Sequence, residues 1–233
     1  MDLWKLLILG VVLVGLVLIF WSPPETPKLP PGIRIEEGTF KILTPTGTKE
    51  EIFGIYPMDA GFRLVSIVHE GGKILLEADF LYAPDWTPLG GTLTQRKPVE
   101  MRWIFAVSEG EIRVRKQVEA REILSTLAIE ASSFPWDGEI VSSWYAPIRL
   151  AREGEEFWAV EVRTGRKAGV KVEKIQETFL SALGRLLPAE RLTLLFDGKE
   201  VAAFRQGDLL LALKTPESQA YLLEILPEGI KEH

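Results

Sequence analysis

An alternation of apolar and polar residues with a period of two recurs along most of this chain, and it limits the possible folds more than any other feature. In residues 73–82 one face carries only apolar side chains, namely Ile74, Leu76, Ala78, Phe80 and Tyr82. Side chains of a strand point alternately to its two faces, so this pattern predicts a strand with one buried side. The same alternation is found in residues 100–108, 111–117 and 155–163.

Short glycine-containing turns separate these segments. Gly71 and Gly72 lie between residues 62–70 and 73–82, and Asp197 and Gly198 lie between residues 192–196 and 200–204. Two-residue turns of this composition are typical of β-hairpins. The connections are too short for β-α-β crossovers, so we expect one large antiparallel, strongly curved sheet or barrel-like β domain with few short helices.

Three segments are harder to interpret. Thr215, Pro216 and Glu217 resemble a cap, a first-turn proline and an acid at the start of a helix, which predicts a short helix over residues 215–226. Residues 121–132 fit a helix or a strand, and we favour a strand because they lie between other strands. Residues 178–187 are left open between the two.

The N-terminus is a long apolar segment. Residues 3–21 contain one charged residue, Lys5, and have Trp4 and Trp21 near their ends. A helix of this length reaches roughly 28 Å, which matches the hydrocarbon core of a bilayer. The segment lacks the small residues of a signal-peptidase site, so we expect an uncleaved signal-anchor with Trp4, Lys5 and Trp21 at the membrane interface.

These features predict three parts, which are a transmembrane helix in residues 1–21, a linker in residues 22–32 and an extracytoplasmic β domain in residues 33–233. The linker contains five prolines and should be a semi-rigid spacer. The expected protein is a single-pass protein of the cytoplasmic (inner) membrane in the cell envelope, with its C-terminal domain outside the cytoplasm.

Composition excludes several classes of partner and site. The formal net charge is −6, which argues against binding nucleic acid. Cysteine is absent, so disulfides and thiolate metal sites are excluded. We expect no cofactor and no metal. Asparagine is also absent while Glu, Arg and Lys are plentiful, which is the direction of thermophile composition.

Candidate catalytic groups are few. His69 lies at the end of a predicted strand, where a surface position is the simpler interpretation. Asp85 and Asp137 each lie beside a tryptophan and could form a carboxylate pair for glycoside hydrolysis if they converged. Aspartates that open turns are much commoner, so we expect no enzyme activity and keep a hydrolase as the third interpretation.

Aromatic residues are concentrated in the middle of the predicted domain. They could fill an ordinary core or line an apolar concavity on one face of the sheet. The residues proposed to contact a ligand are Phe80, Tyr82, Trp86, Trp103, Phe105, Trp136, Trp144 and Trp158.

Two sets of motifs carry a family resemblance. Residues 61–66, 84–91 and 101–103 resemble bacterial envelope proteins that bind glycolipids, and the later motifs, residues 160–165 and 196–199, are similar to the closing hairpins of lipoprotein-carrier-like sheets. The resemblance implies a curved antiparallel sheet with a hydrophobic inner face and no catalysis. It carries over no functional residue.

We therefore predict a membrane-anchored, non-enzymatic β domain that binds an apolar or amphiphilic ligand such as a lipid or glycolipid. Its expected partners are the lipid bilayer and this ligand. The alternative is an accessory or assembly subunit of a larger membrane protein complex, in which the aromatic residues would fill the core.

Overall fold

The computed structural model describes residues 27–226. These residues form fifteen strands: β1 (Glu36–Thr44), β2 (Gly47–Met58), β3 (Gly61–Glu70), β4 (Lys73–Tyr82), β5 (Pro88–Gln95), β6 (Met101–Ser108), β7 (Glu111–Val118), β8 (Arg121–Ala128), β9 (Ser133–Trp136), β10 (Glu156–Glu161), β11 (Lys167–Ala182), β12 (Arg185–Phe196), β13 (Lys199–Gln206), β14 (Leu209–Lys214) and β15 (Gln219–Leu226). The predicted mainly β fold is confirmed.

All fifteen strands belong to one curved sheet in which consecutive strands pair with each other, except β8 and β9. The first and last strands, β1 and β15, pair with each other, so the sheet order runs from β8 through β1 and β15 to β9. The two edge strands, β8 and β9, are joined by only residues 129–132, which brings the two ends of the sheet together. Every pair is antiparallel except β9 with β10.

The alternation seen in the sequence decides which side chains face the inside of the sheet. In β4 the inward residues Leu76, Ala78, Phe80 and Tyr82 are all nearly inaccessible to solvent. The hairpins predicted at Gly71 and Gly72 and at Asp197 and Gly198 are both present, between β3 and β4 and between β12 and β13.

A short helical segment lies within the curved sheet. It consists of a 3-10 turn, Val141–Trp144, followed by the helix α1 (Tyr145–Leu150), and the first eight of these residues are buried. At its C-terminal end the guanidinium of Arg205 donates hydrogen bonds to the carbonyls of Ile148 and Ala151, which satisfies acceptors that a helix end leaves unpaired. The segment connects β9 to β10, and this internal return explains why those two strands are parallel.

The helix predicted over residues 215–226 is wrong. Residues 215–218 form a turn in which the Thr215 hydroxyl accepts a hydrogen bond from the backbone N–H of Ser218. The strand β15 follows as Gln219–Leu226. The strand pairs on both sides, with β1 and β14, and buries Ala220 and Leu222 on one face. The strand favoured for residues 121–132 is confirmed over Arg121–Ala128, which form β8, whereas residues 129–132 lie outside any strand. Residues 178–187, left open, belong to the β11–β12 hairpin.

The predicted membrane anchor requires a correction. In residues 27–226 no helix is both long enough and apolar enough to span a membrane. The segment on which the prediction rested, residues 1–21 with Trp4, Lys5 and Trp21, lies outside the described residues. The transmembrane helix and the single-pass inner-membrane location are therefore withdrawn.

Part of the proline-rich segment packs against the outer face of the sheet. Leu29 is buried in a small cluster with Tyr56, Val65 and Ile67. The Tyr56 hydroxyl donates a hydrogen bond of 2.7 Å to the carbonyl of Pro30. The described part of the segment is thus held to β2.

Candidate ligand-binding cavity

A cavity of about 470 Å³ lies at one end of the curved sheet. Four connections meet there: the β1–β2 turn, the β12–β13 turn, the β14–β15 turn and residues 137–140, which lead from β9 into the internal helical segment. The site is therefore assembled from parts of the chain that are far apart in sequence.

The interior of the cavity is apolar and strongly aromatic. Three rings form one side, with centroid separations of 4.9 Å for Trp136 and Phe196, 5.4 Å for Trp144 and Phe196, and 6.3 Å for the two tryptophans. Aliphatic side chains complete the walls, namely Ile42, Ile140, Val141, Val201, Leu213 and Ala220. Apolar and aromatic walls of this kind are typical of small-molecule sites.

The lining also includes polar groups whose charges balance. It contains three cations, Lys49, Arg166 and Lys199, and three carboxylates, Glu139, Asp197 and Glu217. Lys49 and Glu139 approach to 3.6 Å, and Arg166 pairs with Asp197. Hydroxyl groups come from Thr44, Thr46, Thr215 and Ser218.

Asp137 holds the connection that forms one wall. Its carboxylate accepts a hydrogen bond of 2.9 Å from the backbone N–H of Glu139 and one of 3.0 Å from the Arg163 guanidinium. Burial raises the pKa of Asp137 to about 6, although the positive charge of Arg163 opposes the rise. Because Gly138 and Glu139 follow directly and line the cavity, these contacts fix the shape of its rim.

Glu51 fixes the start of the internal helical segment. Its fully buried carboxylate accepts hydrogen bonds from the backbone N–H groups of Val141 and Ser142, at 2.6 and 3.0 Å, and from the Ser66 hydroxyl at 2.7 Å. Burial raises the pKa of Glu51, and these donors counteract the rise. A carboxylate is well placed here because the first N–H groups of a helix lack partners and carry partial positive charge.

Sequence reasoning missed Glu51, although a signal was present. Glu51 is in register with Phe53 and Ile55 on the inward face of β2, where an acid interrupts an apolar alternation. An ionisable residue on a core face needs a hydrogen-bonding partner, so this position predicts a buried polar contact. The sequence pattern could not have identified the partner, because Val141 lies 90 positions away along the chain.

Of the eight aromatic residues proposed to contact a ligand, two lie at the cavity. Trp136 and Trp144 line the cavity. Phe80, Tyr82, Trp103 and Phe105 are buried in the core under the first half of the sheet. The ligand-contact role of all eight stays a prediction.

The other two residues of that set, Trp86 and Trp158, do not line the cavity either, although Trp86 is buried in the same core. Trp86 follows β4 at the other end of the sheet, stacked on Phe62 at 4.9 Å with the Arg149 guanidinium 4.8 Å from its ring centre. Trp158 is 38% exposed and does not line the cavity.

The two aspartates considered for hydrolysis do not converge. Asp85 is exposed in the β4–β5 connection, where its carboxylate accepts a hydrogen bond from the backbone N–H of Thr87. This hydrogen bond lowers the pKa of the Asp85 carboxyl. Asp137 is buried at the opposite end of the sheet, beside the cavity. Each carboxylate organises its own loop, so the geometry gives no support to a shared catalytic pair.

His69 is buried, so the expectation of a surface position is wrong. Its exposed fraction is 6%, and its Nε2 atom lies 3.7 Å from a carboxylate oxygen of Glu50 on the neighbouring strand. Within residues 27–226, no cluster of three or more metal-ligating side chains is found.

Comparisons with known proteins add little to this geometry. No protein-family profile matches the chain, and no curated protein matches it. Among solved structures, the chain is similar to a β-barrel-like protein of the domain of unknown function DUF1849 from Brucella abortus. The identity is 9% and the TM-score 0.49, over 85% of this chain and 100% of that one. The curved sheet implied by the sequence resemblance is present, whereas no comparison names a glycolipid-binding or lipoprotein-carrier protein.

Proposed function

We propose that this domain binds a single small amphiphilic molecule, such as a lipid or glycolipid, in the cavity beside Trp136 and Trp144. The observation that carries the proposal is the cavity itself, whose volume of about 470 Å³ falls within the roughly 300–1,000 Å³ usual for small-molecule sites. The apolar part of the ligand would contact the aromatic and aliphatic walls, where contact with water is lost.

The polar groups at the rim of the cavity favour a ligand whose polar head carries no net charge. Three cations and three carboxylates balance, and two ion pairs already engage Lys49 and Arg166. An anionic head would have to compete with Glu139 and Asp197 for these cations. A head rich in hydroxyl groups could instead exchange hydrogen bonds with the paired charges and with the hydroxyls of Thr46 and Ser218.

The test measures binding of two defined probes to the full-length chain. A fluorescent fatty-alcohol analogue, whose head is uncharged, reports occupancy of the apolar walls. Octyl glucoside should displace this probe by competition if the site accepts a sugar head. Ala220 is 2% exposed and lines the cavity, so Ala220→Leu should fill part of it and weaken probe binding by about tenfold or more. Ala106→Leu, an exposed position on β6, is the matched control.

A second pair of variants uses the tryptophans. Trp136→Phe should weaken probe binding several-fold because it shortens one wall, whereas Trp158→Phe should leave binding unchanged. Failure of the wild-type chain to bind either probe, or equal binding by wild type and Ala220→Leu, would overturn the proposal. The alternative of an accessory subunit in a larger complex stays a prediction.

A further inference from the structure

The strand β8 is a free edge of the sheet. It pairs with β7 on one side, and no strand of the described residues pairs with it on the other. Seven of its eight residues are exposed, and Ile123 and Leu124 have exposed fractions of 58% and 71%. The edge is therefore open to solvent despite the nearness of β9 in sequence.

The alternation of hydrogen bonds identifies which backbone groups face outward. The N–H of Ile129 donates to the carbonyl of Gly110 in the β6–β7 turn, which continues the β7–β8 ladder. In an antiparallel pair every second residue bonds to the same neighbour, so positions 121, 123, 125, 127 and 129 bond toward β7. The N–H and C=O groups of Glu122, Leu124, Thr126 and Ala128 consequently point to the open side.

The composition of β8 does not protect this edge. Exposed edges are usually blocked by charged side chains, by proline or by a bulge, because their free backbone groups recruit other strands. Residues 123–129 contain no charge and no proline, and the β7–β8 register has no shift. The inward face of β8 is also only partly covered. Leu127 lies beside the buried Ile112 of β7, whereas Ile123 on the same face is exposed to solvent.

We propose that β8 pairs antiparallel with β8 of a second copy of this chain, through the outward groups of residues 122–128. The strand is complementary to itself about Ser125. In that register Leu124 lies opposite Thr126 of the partner subunit, and Ile123 lies opposite Leu127 of the partner subunit on the inward face. Apolar cross-strand pairs of this kind stabilise sheets.

Charge supports a second copy as the occupant. Both charged residues of β8, Arg121 and Glu122, lie at its N-terminal end. In the antiparallel arrangement Glu122 lies opposite Ala128 of the partner subunit, so no like charges oppose each other. One strand on each side forms a small interface, and the dimer should therefore depend on protein concentration.

The absence of cysteine from the chain permits a test that is specific for the register. Ser125 lies at the two-fold axis in a non-hydrogen-bonded pair, where Cα atoms are roughly 4.5 Å apart, within the range that a disulfide needs. In the full-length chain, Ser125→Cys should form a disulfide-linked dimer under mild oxidation. Ser181→Cys, on an exposed strand position away from this edge, should stay monomeric under the same conditions.

A second variant removes the outward hydrogen bond and leaves the β7 ladder intact. Thr126→Pro deletes an N–H that faces the open side, which an edge strand can tolerate. Sedimentation of the full-length chain should show a dimer dissociation constant at least about tenfold larger than that of wild type, because symmetry removes two bonds. Thr126→Ala retains the N–H and should dimerise as wild type does.

Three results would overturn the proposal. They are a wild-type chain that stays monomeric at high concentration, cross-linking of Ser125→Cys no faster than that of Ser181→Cys, or a dimer that Thr126→Pro does not weaken. All variants share the same N-terminal segment, so association through that segment would be unaffected by these substitutions.

Discussion

At the scale of single residues, Glu36 is a carboxyl group whose surroundings oppose its negative charge. It lies at the start of β1, and burial raises its pKa to about 7, with Arg149 opposing the rise and Asp208 adding to it. Among the described residues, its buried Oε1 atom has no hydrogen-bond partner. Folding therefore favours the protonated form of this side chain.

This shift predicts a pH dependence of stability. The folded-state pKa lies above the ordinary value of 4.5, so the folded state binds more protons, and the contribution is lost as pH rises through about 7. Glu36→Gln should increase the free energy of unfolding by about 2 to 3 kcal/mol at pH 8 and leave it unchanged below pH ~4. Urea unfolding at several pH values measures this.

The control for Glu36 is Glu156→Gln, an exposed carboxylate at the start of β10. Because this side chain is exposed, the substitution should leave the free energy of unfolding at pH 8 nearly unchanged. A Glu36→Gln variant that keeps the wild-type pH profile would show that Glu36 ionises freely in the folded protein.

At the scale of elements, the first half of the sheet depends on two glycines where β4, β5 and β6 approach closely. A Cβ atom on Gly91 would lie 2.2 Å from the carbonyl oxygen of Asp79, and one on Gly90 would lie 2.5 Å from that of Phe105. Contacts this short with backbone cannot be relieved by a rotamer change.

Gly91→Ala should therefore lower the free energy of unfolding by more than about 2 kcal/mol, because two strands must move apart. Gly169→Ala is the matched control, since a Cβ there would meet only the Trp158 ring at 3.8 Å. That substitution should be neutral or slightly stabilising. Thermal unfolding of the two variants beside wild type tests the difference, and similar losses in both would contradict the close approach.

At the scale of the whole molecule, the internal helical segment connects the two halves of the sheet. The Tyr145 ring lies 5.7 Å from that of Phe53 on β2 and 6.2 Å from that of Trp86 after β4. Its neighbour Trp144 lies 5.4 Å from Phe196 on β12. The helical segment thus packs both against the wall of the cavity and against the core under the first half of the sheet.

Tyr145→Ala should lower the free energy of unfolding by about 3–5 kcal/mol, the range for large buried aromatic residues, and destabilise both halves together. Tyr221→Ala, which truncates a half-buried side chain on the outer face of β15, should lower the free energy of unfolding by much less. Denaturant unfolding followed by tryptophan fluorescence and by circular dichroism measures both effects. Two separate transitions in the Tyr145→Ala variant would show that the halves fold independently.

The strands and hairpins could be predicted because their signals are local. Alternation in β4 and the glycine turns at Gly71 and Gly198 depend only on neighbouring residues. The prediction failed at residues 215–226 because a threonine hydroxyl that accepts a nearby N–H starts a turn as readily as a helix. Only pairing with β1 and β14 decides for the strand.

The helix α1 was missed for the opposite reason. It has six residues and its buried surroundings leave no polar stripe, so its sequence lacks the period expected of an amphipathic helix. A helix this short gains little stability by itself. It forms because Glu51, Phe53 and Arg205 provide partners from distant strands.

The sequence by itself therefore determined a β domain, most of its strands and hairpins, and the apolar face of each, because these depend on spacing within a few residues. Only the tertiary structure decided that β1 pairs with β15, that β8 stays open, and that Trp136 and Trp144, but not Trp103 or Trp158, line a cavity. These outcomes depend on contacts between residues far apart in the chain, where burial and backbone pairing across the whole sheet select among arrangements that are locally equivalent.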